Sequence, residues 1–159
     1  MAINIKWARP LLVARNRNLA EIDYDEIENA PGVYFFSRKH GTAYIPFYVG
    51  RTRNMRARLK QHLAVANIQN VLCQVKRRDV PYIGHGARYF HQGYFVSGPG
   101  QVTNNCLAIV EKHLIRTALE EDCPLLNKHF TTVRTHEIEF SGPRIGHGVF
   151  RRQSKVLRN

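Results

Sequence analysis

The segment GVYFFSRKHGTAYIPFYVG, residues 32–50, decides the fold of this chain. Its first part, Gly32 to Ser37, is rich in aromatic and β-branched residues, which favour a strand. Residues 40–42, His-Gly-Thr, supply a turn. Tyr44 to Gly50 then predicts a second strand, so the whole segment predicts an antiparallel hairpin.

The rest of the chain predicts helices that alternate with a few strands. Asn54 is suited to cap a helix on which Met55, Leu59 and Leu63 recur at helical spacing. The predicted helices cover residues 54–66, 67–78 and 102–119, and the further predicted strands cover residues 87–97 and 135–140. Residues 7–14 predict a short strand or an extended lead-in, and residues 23–29 predict one or two helical turns. This order predicts an α/β (α+β) fold, in which helices flank a small central antiparallel three-stranded sheet.

The composition predicts one globular domain that binds a polyanion. The chain has 159 residues, and its 24 Lys and Arg against 12 Asp and Glu give a formal net charge of +12. Such an excess favours binding to phosphates but names no chemistry. We expect a single domain over residues 1–159, with a core at about 31–128, an insertion at about 67–86 and a basic tail at about 142–159.

The three cysteines and the hydropathy indicate a cellular setting. Cys73, Cys106 and Cys123 are odd in number, widely spaced and without a CxxC pair. They predict reduced thiols rather than a disulfide framework or a zinc site, and hence a reducing, cytoplasmic location. No apolar run reaches the length of a membrane span, so we expect no membrane partner.

Glu111 is a carboxylate within the apolar stripe of the helix predicted at residues 102–119. Leu107, Val110, Leu114 and Ala118 fall on that stripe. A lone buried carboxylate is costly, so Glu111 needs a divalent cation, an arginine or a proton. We interpret Glu111 as a metal ligand, with a solvated or arginine-paired carboxylate as the alternative.

Polar residues in several predicted elements form a set suited to phosphodiester hydrolysis. A carboxylate can hold a hard divalent cation, and an arginine can offset charge on the phosphate in the transition state. A tyrosine or a metal-bound water can supply or activate the nucleophile. The members of the set are Tyr34, Tyr48, Arg51, Arg58, His62, Glu111 and Asn127.

The order of these residues resembles that of the GIY-YIG nuclease family. The first motif stands here as Gly32-Val33-Tyr34, and the second as Tyr48-Val49-Gly50. The further matches are Arg58, His62, Glu111 before Leu114-Ile115, and Asn127 after Pro124-Leu125-Leu126. The resemblance covers about residues 31–128 and implies the family's small α/β fold.

The resemblance also implies a role for the residues around the phosphate. Tyr34 would be the general base, helped by basic neighbours because a phenol titrates near pH ~10, and metal-bound hydroxide is the alternative base. Tyr48 would position water or phosphate. Arg58 would bind the scissile phosphate through paired donors. His62 would hydrogen-bond the tyrosine or the phosphate.

The remaining implied roles concern the metal, the backbone and the substrate. Glu111 would hold one Mg²⁺ or Mn²⁺ ion per active site. Asn127 would hold the active-site backbone in place. Arg51 would lower the pKa of a tyrosine or bind substrate. Independently of the resemblance, Arg53 and the basic run Lys76-Arg77-Arg78 are predicted to contact substrate phosphates without reading bases, with solvated surface charge as the alternative for the run.

The function implied by the resemblance is a divalent-metal-dependent endonuclease that hydrolyses DNA, with double-stranded DNA favoured. A stand-alone restriction-type enzyme is the leading interpretation, and a homodimer would then cut both strands. Three alternatives stay open: a non-catalytic basic nucleic-acid-binding protein, a repair or mobile-element nuclease of the same fold, and a nuclease for RNA or single-stranded DNA.

Overall fold

A computed structural model describes residues 3–76, 78, 82–96 and 104–127, and the backbone of two strands at residues 135–139 and 153–157. The strands are β1 Ile5–Trp7, β2 Leu11–Leu12, β3 Ala14–Asn16, β4 Leu19–Glu21, β5 Gly32–His40, β6 Ala43–Thr52, β7 Arg88–Phe95, β8 Thr135–Glu139 and β9 Gln153–Leu157. The helices are α1 Met55–Leu63, α2 Ala66–Leu72 and α3 Asn104–Glu120.

β5 and β6 form the hairpin that the sequence predicts. Their register places Tyr34 opposite Gly50 and Phe36 opposite Tyr48, with an irregularity directly after Phe36. Gly41 turns the chain between the strands at a φ of +58°, a left-handed conformation that glycine adopts without a Cβ clash. The predicted antiparallel hairpin is therefore confirmed.

The central sheet is larger than predicted. β7 pairs with β5 on the side away from β6, and β1 and β2 pair antiparallel with the far edge of β7. The sheet has five strands, so the prediction of three was wrong. β1 and β2 are three and two residues long, which is too short for a periodic sequence pattern to reveal them. Their position is set by backbone pairing with β7.

α1 and α2 cover the face of the sheet that carries Tyr34 and Phe36. Met55 and Leu59 of α1 and Val71 of α2 lie in the same buried cluster as these two rings. Burial of aromatic and aliphatic side chains of this size is the main favourable contribution to folding. The two helices are thus fixed directly above the first tyrosine of the hairpin.

α1 is shorter than predicted, and the chain changes direction before α2. The Asn54 side chain caps α1, its Oδ1 accepting a hydrogen bond from the Ala57 amide at 2.9 Å. α1 ends at Leu63, and Val65 is extended, so α2 covers residues 66–72 instead of 67–78. Leu63 is half-buried, and His62 is the buried residue of the last turn.

α3 packs against β5 and β6 on the opposite face of the sheet. Val33 and Arg51 are register partners, and strand alternation points both away from the Tyr34 face. Arg51 contacts Glu111 of α3, which identifies the side on which the helix lies. The edge of β6 therefore lies between α1 and α2 on one face and α3 on the other.

The buried side of α3 differs in part from the predicted stripe. Val110 and Leu114, which the prediction placed in the stripe, are half-buried, as is Glu111. The fully buried residues of the helix are Cys106, Leu107, Ile115 and Ala118. Glu111 thus lies at the margin of the stripe rather than in its centre.

Three further predictions concern residues 23–29, the strand at residues 135–140 and the absence of a membrane span. Residues 23–29 contain a turn, with the Ile27 amide bonded to the Tyr24 carbonyl at 3.2 Å, in place of the predicted helical turns. β8 confirms the strand predicted at residues 135–140, and β9, within the predicted basic tail, pairs with it. Among the described residues, no helix has the length and hydropathy needed to cross a membrane.

Gly50 leaves the space that the Tyr34 phenol occupies. A Cβ at residue 50 would lie 2.4 Å from the Tyr34 hydroxyl oxygen and 2.5 Å from its Cζ. We expect Gly50→Ala to lower the free energy of unfolding by about 1–3 kcal/mol, the usual cost of overpacking, in urea denaturation.

A double-mutant cycle checks the steric cause. Phenylalanine lacks the hydroxyl that the new methyl group would meet, so Tyr34→Phe should cost less in the Gly50→Ala background than in the wild type. Gly41→Ala is the control, because a Cβ there meets nothing within 4 Å. It should show no coupling to Tyr34→Phe. Additive costs for Gly50→Ala and Tyr34→Phe would contradict this account.

Candidate active site

An open groove of about 1070 Å³ runs along the edge of β6. α1 and α2 form one wall, and α3 together with the segment after it forms the other. Of the residues that the sequence analysis singles out, the groove is lined by Tyr48, Arg51, Arg53, Arg58, His62, Glu111 and Asn127. The fold therefore brings residues from β6, α1, α3 and the following segment to one place.

Tyr34 lies behind the groove and supports three of its residues. Its side chain is 1% exposed. Its hydroxyl contacts the His62 Nε2 at 2.5 Å and accepts a hydrogen bond from the Arg58 Nε at 3.3 Å. Its ring stacks on that of Tyr48, with centroids 6.3 Å apart. Tyr34 thus orients groove residues without being exposed to solvent itself.

Burial raises the pKa of both phenols above the usual range. For Tyr34, burial is the largest cause, repulsion from Tyr48 adds to it, and the hydrogen bond from Arg58 opposes it. For Tyr48, burial again raises the pKa most, while the charge of Arg58 lowers it. Both phenols are therefore protonated at neutral pH. Arg58 acts on the tyrosines in the way that the sequence analysis expected of Arg51.

His62 is a buried neutral histidine. His62 is 7% exposed to solvent. This burial, reinforced by the charge of Arg58, lowers the pKa of His62 to about 4. A neutral imidazole has one nitrogen that can accept a hydrogen bond. The Tyr34 hydroxyl can therefore donate to His62 while it accepts from Arg58. The hydrogen bond to Tyr34 in turn raises the pKa of Arg58, which stays charged.

Glu111 is paired with Arg51 at the α3 wall of the groove. The Arg51 Nε donates to the Glu111 Oε2 at 2.8 Å, and the Arg51 Nη1 donates to the Asn104 carbonyl at 3.1 Å. The Glu111 side chain is 15% exposed. The arginine-paired carboxylate, which the sequence analysis left open, is the arrangement in the structure. A cation at Glu111 must therefore share or displace Arg51.

Asn127 fastens the segment after α3 to the outer edge of β6. Its Oδ1 accepts from the Val49 amide at 3.0 Å, and its Nδ2 donates to the Val49 carbonyl at 2.6 Å. The Leu126 amide donates to the Phe47 carbonyl at 2.7 Å. These bonds satisfy part of an otherwise open sheet edge and hold the backbone on both sides of Tyr48.

The predicted phosphate-contacting residues are not all in the groove. Arg53 lines it and donates from its Nε to the Asn104 Oδ1 at 2.7 Å. Lys76 and Arg78 are exposed and are not among its lining residues. Arg77 lies outside the described residues. Asn104 is a groove residue that the sequence analysis missed, because an asparagine at the start of a helix is ordinarily interpreted as a cap.

The groove fits a single hard cation better than a closed metal centre. In the part of the chain described by the structure, no three His, Cys, Asp or Glu side chains cluster to hold a metal. Mg²⁺ needs only one or two carboxylates, because it keeps bound waters and takes phosphate oxygens of a substrate. Glu111, with a carboxylate at the groove wall, has the chemistry for such an ion.

Comparison with protein-family models finds a match for part of the chain. Residues 30–94 match the model described as the GIY-YIG catalytic domain. This match confirms the resemblance inferred from the motifs, and it implies a nuclease-type fold for this segment. The match covers β5, β6, α1, α2 and most of β7, and Glu111 and Asn127 follow it in the chain. No curated protein and no solved structure shows a significant match.

Two buried histidines predict a loss of stability in mild acid. Burial lowers the pKa of His91 to about 4, as it does for His62. An unfolded histidine titrates near ~6.5, so between about pH 6.5 and 4 the unfolded state binds protons that the folded state does not. Stability therefore falls as the pH falls through this window. We expect the free energy of unfolding in urea to drop by roughly 1–2 kcal/mol per histidine between pH 7 and pH 5.

The variant His62→Gln should lose about half of this pH dependence, since one of two histidines no longer titrates. His40→Gln, at an exposed position in the hairpin, is the matched control and should retain it. If His62→Gln showed the full wild-type dependence, the assignment of a neutral buried His62 would be wrong.

Proposed function

We propose that this protein is an endonuclease that hydrolyses phosphodiester bonds of DNA with one Mg²⁺ or Mn²⁺ ion per active site. The observation that carries the proposal is the groove at the edge of β6. It combines an arginine, a phenol, an imidazole and a carboxylate, and most of its wall belongs to the GIY-YIG segment. The formal net charge of +12 supports a nucleic-acid substrate.

Arg58 is the residue that we assign to the scissile phosphate. It lines the groove, and its described partners are the neutral groups of Tyr34 and Gln61, the latter at 3.2 Å. Its charge is therefore directed at the substrate in a partly desolvated position. A guanidinium fixed there before the reaction stabilises the charge that develops on the phosphate oxygens.

Tyr48 is the phenol that we place next to the reacting water. It lines the groove, whereas Tyr34, the base implied by the resemblance, is buried behind it. In hydrolysis, the water oxygen bonds to phosphorus, its proton passes to an acceptor, and the bond from phosphorus to the leaving sugar oxygen breaks. Burial keeps Tyr48 protonated at neutral pH, so its hydroxyl orients the water or a phosphate oxygen and does not itself accept the proton. Tyr34 acts as a positioning residue through Arg58 and His62.

Glu111 is the residue that would hold the divalent ion. When bound, the ion would supply Lewis-acid polarisation of the phosphate and stabilisation of the leaving oxygen. The chain's own contribution is a carboxylate whose charge Arg51 compensates in this structure. Asn127 keeps the neighbouring β6 backbone in place through its two bonds to Val49.

Within this proposal we favour a restriction-type role in which a homodimer cuts both strands. A two-fold dimer presents two copies of one groove, as two antiparallel strands require. A repair or mobile-element nuclease and a non-catalytic DNA-binding protein are the alternatives. Sequencing the ends produced from a defined plasmid distinguishes the restriction-type role from a repair or mobile-element nuclease. An absence of cleavage at any metal concentration indicates the non-catalytic DNA-binding protein.

The carboxylate of Glu111 is the most direct target for mutation. We expect Glu111→Gln to slow plasmid cleavage in Mg²⁺ by about a hundredfold or more, because transition-state stabilisation is lost. DNA affinity, measured by fluorescence anisotropy, should change little. Chelation with EDTA should abolish wild-type cleavage. Glu121→Gln, at an exposed position after the same helix, should cut normally. Wild-type cleavage by Glu111→Gln would rule out the assigned role.

The Arg51–Glu111 pair predicts competition between the arginine and the metal. Because the Arg51 Nε occupies the Glu111 Oε2, Arg51→Met should bind Mg²⁺ about tenfold more tightly in calorimetry, the approximate value of one hydrogen bond to a charged group. Arg53→Met loses a contact to Asn104 instead and should leave Mg²⁺ affinity unchanged. Equal or weaker binding by Arg51→Met would show that the two do not compete.

A further inference from the structure

Two arginines lie side by side at the end of β5 that is remote from Gly32. Arg38 of β5 and Arg88 of β7 are register partners, on the same sheet face as Tyr34 by strand alternation. Arg88 is 4% exposed, and Arg38 is half-buried. Neither arginine forms an ion pair with a carboxylate within the described ranges of the chain. Buried arginines are ordinarily paired, so this pair requires an explanation.

The hydrogen bonds of the two guanidinium groups all go to backbone carbonyls. The Arg88 Nη2 donates to the Gly84 carbonyl at 2.7 Å and its Nε to the Val71 carbonyl at 3.3 Å. The Arg38 Nη1 donates to the His85 carbonyl at 3.3 Å. The Arg38 Nε and the Arg88 Nη1 are buried and have no hydrogen-bond partner among the described residues. Each guanidinium therefore has one buried nitrogen that no described residue satisfies.

The electrostatic balance of this pair is unfavourable as it stands. Burial, together with the neighbouring charge of Arg38, lowers the pKa of Arg88 to about 10, so Arg88 is still charged at neutral pH. An unused buried donor on a cation costs more than one on a neutral group. A bound oxyanion would both satisfy the unused donors and neutralise the repulsion, since guanidinium groups match phosphate oxygens in geometry.

The loop that precedes β7, which contains Gly84 and Gly86, packs against the guanidinium of Arg38. Gly84 and Gly86 have φ angles of +87° and +134°, which favour glycine. A Cβ on Gly84 would lie 3.2 Å from the Arg38 Cζ and 3.3 Å from its Nε, so the backbone of residue 84 packs closely against this guanidinium. Arg38 is half-buried and Arg88 is buried, so Arg38 is the member of the pair that contacts solvent.

We propose that Arg38 and Arg88 form a second phosphate-binding site, distinct from the groove at β6. Tyr34 and Arg38 are four residues apart on β5, which places the site about 13 Å along the strand from the Tyr34 position. The ligand class is a phosphate group, carried by a nucleic-acid backbone or free in solution. Only the attribution to nucleic acid rests on the proposed function.

Thermal unfolding of the full chain tests the site without any cleavage assay. Inorganic phosphate is exchanged for chloride at constant pH and ionic strength. We expect the wild-type Tm to rise by about 2–4 °C at phosphate concentrations several times Kd, and the rise to saturate. Arg38→Gln should lose this rise, and because Arg38 is half-buried the variant spares the deeper Arg88.

The matched control is Arg56→Gln, which removes an arginine whose Nε is also buried without a partner, but on α1. It should keep the phosphate response. A wild-type Tm that is equal in phosphate and chloride would overturn the proposal, as would a full response in Arg38→Gln. Loss of the response in Arg56→Gln as well would overturn it too, because the effect would then follow overall charge.

Binding of a short DNA duplex in the Glu111→Gln background identifies the source of the phosphate. If the ligand is a backbone phosphate, Arg38→Gln should weaken binding about three- to tenfold and reduce the salt dependence by about one ion. If the ligand is free phosphate, DNA affinity stays the same while the Tm response is lost. Either result supports the site. A protein with this response that cuts no nucleic acid would contradict the proposed function alone.

Discussion

The site depends on the packing of the Tyr34 ring against the bare backbone of Gly50. These residues are register partners in β5 and β6, so the tyrosine of one motif and the glycine of the other specify a single contact. A slip of one residue in the register would turn Tyr34 to the opposite face of the sheet. With the register fixed, the Tyr34 hydroxyl reaches Arg58 and His62 on α1. One steric condition in a hairpin therefore positions side chains from another element.

Two of the arginines that line the groove, Arg58 and Arg51, differ in how their charge is compensated. Arg58 contacts the neutral hydroxyl of Tyr34, beside a neutral His62, so the partners seen in the structure leave its charge uncompensated. Arg51 is bound to Glu111, and together they are close to neutral. In the proposed function, an incoming phosphate would be attracted first to Arg58. A divalent cation would meet a carboxylate that Arg51 already engages, so its binding would depend on the position of Arg51.

Local sequence patterns predicted the hairpin, the α3 helix and the set of groove residues. They predicted a short strand or extended segment at residues 7–14, where β2 lies, but not β1 or the pairing of both strands with β7, because such short segments are strands only through that pairing. Local patterns also could not identify Arg51 as the partner of Glu111. Arg51 lies on a strand distant in sequence, and the pairing of that strand sets the direction of its side chain. The different exposure of Tyr34 and Tyr48 has the same origin. Both rings point to one face, but β5 is central in the sheet and β6 is at its edge.

That difference between central and edge strands explains where polar groups can act. At the edge, Tyr48 and its neighbours line the groove. Hydrogen bonds from the Leu126 amide and the Asn127 side chain to the β6 backbone cover part of the strand without covering the side chains. On central strands, buried polar groups need internal partners. Tyr34 has them in His62 and Arg58. Among the described residues, the hydrogen bonds of Arg38 and Arg88, on β5 and β7, go to carbonyls, and each guanidinium retains an unused donor. By the rule that Tyr34 obeys, a bound oxyanion would supply the partner of these donors.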